Sequence, residues 1–425
     1  MDNISFTERL AQAEDSEIGE AFNSFMHTAA RSALTAVLFE EVEALCGKAY
    51  HPQEEGDCKR AGSAPGRYFF GSDEIQISRP RVRRHKGGKS EEVRLNSYQA
   101  AQNRESLHDA MLRAFSVGVS SRDQKRMFNN APGTSHGEVS RLWEREGLRC
   151  IEELRERELS KADYVALMLD GIGLGNDLCA IVALGITVDG KKHILDFQIG
   201  ASENLEACTD LLGRITERGF TPRRRLLAIT DGSKALRKGV RKHWPDAIIQ
   251  RCLIHKARNV KGYLSRRHHG EVDRFFTRLR NAQGPEAAEE CLKQLRGFLQ
   301  GKNAQALASL EEAGDELLAV HRLGAPSTLN KTLLNTNCIE NSFRNVRAKI
   351  RRVTRWRAET QMASKWMAYA LIEAERGFRK IKNYRDVVKL ARILESISPP
   401  PPEEGEKASP SSSALDHEAA TEYKS

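Results

Sequence analysis

Residues 163–200 read DYVALMLDGIGLGNDLCAIVALGITVDGKKHILDFQIG, and three strand-like segments follow one another within them. YVALMLDG is a buried-type apolar run that ends in an acid. LCAIVALGITV is a second run, closed by Asp189-Gly190, a strong hairpin turn signal. KKHILDFQIG supplies a third strand. The period then changes. SENLEACTDLLGRITERGF reads as a helix capped by Ser202 and ended at Gly219, and RRLLAITDG is a fourth apolar strand, again ending in an acid. SKALRKGVRKHW follows as a helix and AIIQRC as a short fifth strand. Three antiparallel strands followed by alternating helices and strands predict an α/β layer with mixed strand directions.

That order matches a ribonuclease-H-like domain, with residues 160–270 as its first part and 326–397 as its last. Residues 271–325 read as a helical insertion. Val272, Phe275, Phe276 and Leu279 make one apolar stripe, and Ala288, Cys291, Leu292, Leu295 and Leu299 another; both are core-forming and claim no site. Upstream, residues 1–57 form an acidic helical segment containing the apolar run ALTAVLFEEVEAL from Ala33 to Leu45. In residues 58–105, Tyr68 to Phe70 and Ile75 to Ile77 flank a Gly-Ser-Asp turn, a small hairpin. It runs into Arg81, Arg83, Arg84, Lys86 and Lys89, either a solvated basic linker or an arm that contacts phosphates. Residues 106–159 are helical. Leu107, Met111, Leu112 and Phe115 share a face, Gly118 stops that helix, and Ser120 to Asp123 can cap the next. Val139, Leu142 and Trp143 mark a third helix, with Ser135 to Arg145 as a recognition helix in a helix-turn-helix-like DNA-binding unit; any small helical bundle shares this pattern. Residues 398–425 have the composition of a disordered tail.

The net charge of +9 is unevenly placed. Residues 1–57 hold twelve acidic and three basic side chains and residues 398–425 six acidic and two basic, which leaves +22 on residues 58–397. A surplus of that size points to a polyanion, most plausibly nucleic acid. No window reaches the roughly 18–20 apolar residues of a membrane span, so no membrane partner is expected. The N-terminal MDNISFTERLAQAEDSEIGE has neither the basic flank nor the apolar stretch of a secretory signal. The eight cysteines contain no CxxC pair and are expected as reduced thiols in an intracellular protein.

Two carboxylates stand at strand ends, Asp170 in ALMLDG and Asp231 in LAITDG. On adjacent strands they would lie a few ångströms apart, repelling each other unless a hard divalent cation such as Mg²⁺ sits between them. Two such ions can activate a water or a 3′-hydroxyl and stabilise the leaving oxygen of a phosphodiester. Glu340 in TNCIEN is the best third acid, with Thr336 and Asn337 placed to cap its helix. Arg344, Arg347 and Arg351 follow at +4, +7 and +11 on the same face, either as a DNA backbone passing the site would require or as a solvated basic helix carrying one ordinary surface Glu.

In order, LDG at Leu169–Gly171, the strand pair up to Gly200, the spacing from Gly200 to Gly219, ITDG at Ile229–Gly232, RCLIH at Arg251–His255 and TNCIEN at Thr336–Asn341 with its Arg-rich continuation to Arg357 resemble the Mutator-type DDE transposases of bacterial insertion sequences. The resemblance spans roughly Tyr68 to Leu394. It implies a ribonuclease-H-like catalytic domain in which Asp170, Asp231 and Glu340 form a metal-binding triad for Mg²⁺ or Mn²⁺, two ions in all. It further implies binding of terminal inverted repeats, DNA cleavage and strand transfer, a homo-oligomer, and a place in the bacterial cytoplasm at the nucleoid. A nuclease without strand transfer and a non-catalytic DNA-binding derivative remain as alternatives. The family's Cys-x-x-His element is matched by Cys252 and His255: either a buried strand-end cysteine with a helix-start histidine, or a histidine near the site that contacts a phosphate or orients a ligand. Two ligands do not make a zinc site. Many relatives carry Pro at the position of Cys338 and Arg at that of Asn341.

Overall fold

A computed structural model describes residues 15–52, 56–70, 73–128, 131–175, 178–351, 353, 356 and 358–398. The expected acidic tail beyond Ser398, the Gly71-Ser72 tip of the first hairpin and Arg357 lie outside these residues. The fold is mixed α/β. It divides into two compact units, residues 15–157, 172–179 and 340–377 in one and residues 158–171, 180–339 and 378–398 in the other. No helix among the described residues is long and apolar enough to cross a membrane.

The first unit opens with the helix Asp15–Cys46, which buries Leu38, Val42 and Cys46 at successive i, i+4 positions. These pack with Tyr68, Ile75, Ile77 and Val82 of a three-stranded antiparallel sheet, β1 (Cys58–Phe70), β2 (Asp73–Lys86) and β3 (Lys89–Val93). The expected basic linker is therefore corrected: Arg81, Arg83 and Arg84 are part of a long strand. Serine, glycine and proline in β1 and β2 conceal the strand from a propensity reading. The pairing slips between Arg60 and Ser63, where Gly62 takes φ +76°, so the buried set changes from Ile75 and Ile77 to Pro80 and Val82. Arg81 donates twice to Glu92, at 3.1 and 2.7 Å, and Arg84 pairs with Asp57 at 3.2 Å. Hydrogen bonds from Arg81 and then Arg79 hold the Glu92 carboxyl down to about 2. Only Arg83 of the three stands exposed without an acidic partner among the described residues.

The helices Glu105–Ser116, Gln124–Met127 and His136–Glu156 follow, the first ended by Gly118 at φ +105°. Ser135 and Glu138 form a capping box at the start of the third. That helix is twice the expected length because the stripe Val139, Leu142 and Trp143 continues through Cys150, Ile151 and Leu154. The middle element is a single turn. Trp143 stacks on Trp366 of the helix Met362–Arg376, centroids 4.1 Å apart, and Phe115 packs against both. Gly147 permits this approach, since a Cβ there would come within 2.6 Å of the Lys365 Cβ. Gly147→Ala is accordingly expected to cost about 1–3 kcal/mol by overpacking, read as a lower denaturant midpoint at unchanged slope.

The second unit is built on a five-stranded sheet, with β4 (Tyr164–Gly175), β5 (Leu178–Thr187), β6 (Lys192–Gly200), β7 (Leu227–Thr230) and β8 (Ile248–Arg251) in the order β8-β7-β4-β5-β6. β4, β5 and β6 are joined by connections too short for a parallel crossover. β7 pairs in parallel with both β4 and β8. Helices Leu205–Glu217 and Lys234–His243 pack on the sheet through Leu211, Leu212, Ile215, Leu236 and Val240. The first of them is capped by Asn204, whose side chain accepts from the Ala207 N–H, and not by Ser202. Helices His269–Asn281, Pro285–Gln300 and Ala304–Glu311 follow, and they bury the two apolar stripes, with Phe275 half-exposed.

Candidate active site

The parallel register of β4 and β7 pairs Leu169 with Thr230, so the residue after each of them is an acid. Asp170 and Asp231 thus stand side by side at one level of the sheet, as expected of adjacent strands. Asp231 closes β7. Asp170 does not close β4, a correction: the strand runs on to Gly175 because Ile172 and Leu174 continue its buried alternation. At 3% exposure, Asp170 is an interior carboxylate.

The glycines of the two Asp-Gly pairs are fixed by close packing. A Cβ at Gly171 would overlap the carboxylate of Glu203. Gly232 takes φ +106°, and a Cβ there would overlap the guanidinium of Arg251. Glu203 is the residue missed by sequence reasoning. Its only signal is that it is an acid immediately before the N-cap Asn204, in the turn that returns the chain from β6 to its helix.

Burial pushes the Asp170 carboxyl up to about 7, Asp231 adds to the rise, and His255, Thr336 and the Gly171 N–H oppose it. Burial also raises Glu203, again with Asp231 adding. A hydrogen bond with Cys252 raises His255 to about 9, helped by the negative charges of Asp170 and Asp231. Asp170 and His255 offer ligand atoms within 4.8 Å of each other. No lysine or arginine among the described residues pairs with Asp170, Asp231 or Glu203; Asp231 accepts from the Ser233 N–H at 2.8 Å and Asp170 from the Gly171 N–H at 3.0 Å. The contrast with Asp196 on β6 is sharp, since that buried acid is claimed by Arg214 at 3.0 Å and Arg218 at 3.2 Å. Three crowded carboxylates facing one imidazole suit a divalent cation with oxygen ligands.

Cys252 is the buried N-cap of the helix Leu253–Gly262, and His255 lies in its first turn. Thr336 stands between Asp170 and the Cys252 Sγ, 3.6 Å from the sulfur. Its expected capping role falls instead to Asn335, whose Oδ1 accepts from the Asn337 N–H at 3.0 Å. The helix Asn337–Ile350 carries Glu340 in its first turn, one turn beyond Thr336 and bonded directly to Ile339. Residues 340–377 belong to the other unit. Along that helix Glu340 is half-buried while Arg344 and Arg347 are exposed, as is Arg351 just past its end.

Residues 1–378 match the model of the family described as Transposase, Mutator family. The chain belongs to the Mutator family of transposases. It is 31% identical over 287 residues to the transposase of insertion sequence element IS6120 from Mycolicibacterium smegmatis, covering 65% of this chain and 86% of that protein. It is 26% identical to the transposase of IS905 from Lactococcus lactis, covering 81% of this chain and 86% of that one. It is 28% identical over 231 residues to the transposase of IS256 in transposon Tn4001 from Staphylococcus aureus, covering 52% of this chain and 57% of that protein.

Proposed function

We propose that this Mutator-family transposase binds the terminal inverted repeats of its element and cuts and joins DNA through Asp170, Asp231 and Glu340 in a ribonuclease-H-like domain. The observation that carries the reading is the register-matched pair Asp170 and Asp231, crowded with Glu203 and, among the described residues, paired with no lysine or arginine. Glu340 is the third acid of this reading, four residues along the chain from the Thr336 that touches Asp170. Asp170, Asp231 and Glu340 would hold Mg²⁺ or Mn²⁺, whose positive charge would stabilise the attacking and the leaving 3′-oxygen.

The chain's own residues do the rest. Asp170 and Asp231 are presented by rigid strands, so little reorganisation accompanies the reaction. His255, held protonated by Cys252 and the acids, offsets part of their charge. In-line attack by water on the phosphorus releases a 3′-hydroxyl, and attack by that hydroxyl on target DNA joins the strands. The proton of each attacking oxygen passes to bulk water, and each leaving oxygen takes one up.

DNA contact is assigned to Arg344, Arg347 and Arg351, to Arg83, and to the exposed Arg141 and Arg145 of the helix-turn-helix-like region. Arg81 and Arg84 contribute less, since Glu92 and Asp57 already engage them. Arg347→Ala is expected to weaken binding about equally across sequences and to reduce the salt slope by about one, measured by mobility shift between low and moderate salt. The reading as a whole is tested with a pre-nicked inverted-repeat end and plasmid target in Mg²⁺. Joined products are expected; nicking without joining would leave a nuclease, and neither activity would remove the catalytic assignment.

A further inference from the structure

The insertion reaches the candidate site through one buried side chain. Arg251, the last residue of β8, is 2% exposed. Its Nη1 and Nη2 donate to the two carboxylate oxygens of Glu312 at 3.2 and 3.0 Å. Glu312 closes the insertion helix Ala304–Glu311 and also accepts from Lys256 Nζ at 2.9 Å. Glu316, further along the insertion, takes Arg237 at 2.9 Å and stands 3.8 Å from Arg251. On its other side the Arg251 guanidinium lies where a Gly232 side chain would be, and its buried Nε has no hydrogen-bond partner among the described residues. Gly232 is the residue after Asp231. The insertion thus grips the outer edge of a flat group whose inner edge bears on the Asp231–Gly232 turn.

Charge balance alone does not require this arrangement. Buried Lys256 also pairs with Glu312, at 2.9 Å, and so supplies a second positive charge. What Arg251 adds is a planar fork that satisfies both oxygens at once and reaches Gly232, which a lysine cannot do. The insertion and the second acid are 81 residues apart in sequence, measured from Asp231 to Glu312, yet Arg251 touches both Glu312 and the glycine that follows Asp231.

We propose that Arg251 and Glu312 are positioning residues for Asp231, so that the helical insertion sets the geometry of the second acid. This rests on the role given to Asp231 above. A group one step removed from a metal ligand typically changes affinity about 10–100-fold when lost.

The test uses the full chain with Arg251→Lys, Glu312→Gln, Asp231→Asn and, as a control within the insertion, Arg322→Gln, which breaks only the exposed pairs to Glu289 and Asp315. Mn²⁺ binding is followed directly by electron paramagnetic resonance, beside melting, inverted-repeat binding and the Mn²⁺ dependence of nicking. Arg251→Lys is expected to raise the half-saturating Mn²⁺ about tenfold or more at unchanged repeat binding, Glu312→Gln to act in the same direction, and Arg322→Gln to match wild type. A general loss of folding would instead lower all activities in proportion to the folded fraction, at unchanged Mn²⁺ dependence, and would overturn the positioning role. Should Arg251→Lys not fold, Glu312→Gln, which keeps the side chain's shape, decides. Wild-type Mn²⁺ affinity in the folded variants, with Asp231→Asn impaired, removes the positioning role alone. Wild-type behaviour of Asp231→Asn removes the reading of the site itself.

Discussion

Asp231→Asn abolishes strand nicking while leaving inverted-repeat binding intact: that is the expected result of removing one charge from a carboxylate that closes β7. The amide is isosteric and its oxygen can still accept from the Ser233 N–H. What it loses is one of the charges that a divalent ion requires. Metal-assisted charge stabilisation supplies several kcal/mol, and each 1.36 kcal/mol is tenfold in rate, so a loss of at least about a thousandfold is expected. Folding should survive, because Asp231 raises both Asp170 and Glu203 and its removal relieves them. Asp196→Asn supplies the contrast. That acid is fully buried, where Asp231 is half-buried, and it is spent on Arg214 and Arg218, so its loss should unfold the unit before it touches chemistry. Nicking assays in Mg²⁺ beside mobility shifts and melts decide the matter. Near-normal nicking by Asp231→Asn would take it out of the reaction.

The sheet was readable from residues 163–251 because its strands are continuous apolar runs punctuated by Asp-Gly, and such runs have few other stable uses. The same reading failed where a strand carries few apolar residues. β1 and β2 are rich in Ser, Gly, Pro and Arg, and only long cross-strand pairing makes a sheet of them. For the site, two acids on adjacent strands were legible, and the register carried them to one level. Glu203 was not, because a turn acid next to an N-cap is common and only its packing on Gly171 distinguishes it. Thr336 looked like a cap by residue type, but Asn335 was the better-placed acceptor, which leaves the threonine hydroxyl for Asp170 and Cys252. The Arg251–Glu312 pair has no local signature at all. Interactions of that kind depend on which distant helix covers a strand end, and no periodicity encodes it.

Asp170→Asn should make the metal-free protein more stable while removing its activity. Asp170 is buried, with its carboxyl pushed up to about 7 from an ordinary value of 3.8. A group whose folded value exceeds its unfolded one binds an extra proton in the folded state between the two. Stability is therefore fully supported below about 4 and declines as pH rises through 7, after which the charged form is carried at a cost on the order of a few kcal/mol. Asparagine does not titrate, so the variant escapes that decline. Part of the gain is offset because His255 loses one of its acidic neighbours, although Asp231 and Glu203 remain and Cys252 still holds the ring. In a chelator, the melting temperature of Asp170→Asn should exceed that of wild type at pH 8, and the difference should shrink towards pH 5. Added Mg²⁺ should reverse the order, raising wild type and not the variant, because a ligand stabilises only the form that binds it. The same linkage requires wild type to release a proton on binding metal below pH 7, with apparent affinity falling about tenfold per pH unit there. Calorimetry in buffers of different ionisation enthalpy reads that proton directly. A wild type that is the more stable at pH 8 without metal would mean that the Asp170 charge is balanced within the protein, and that no cation is needed to hold it.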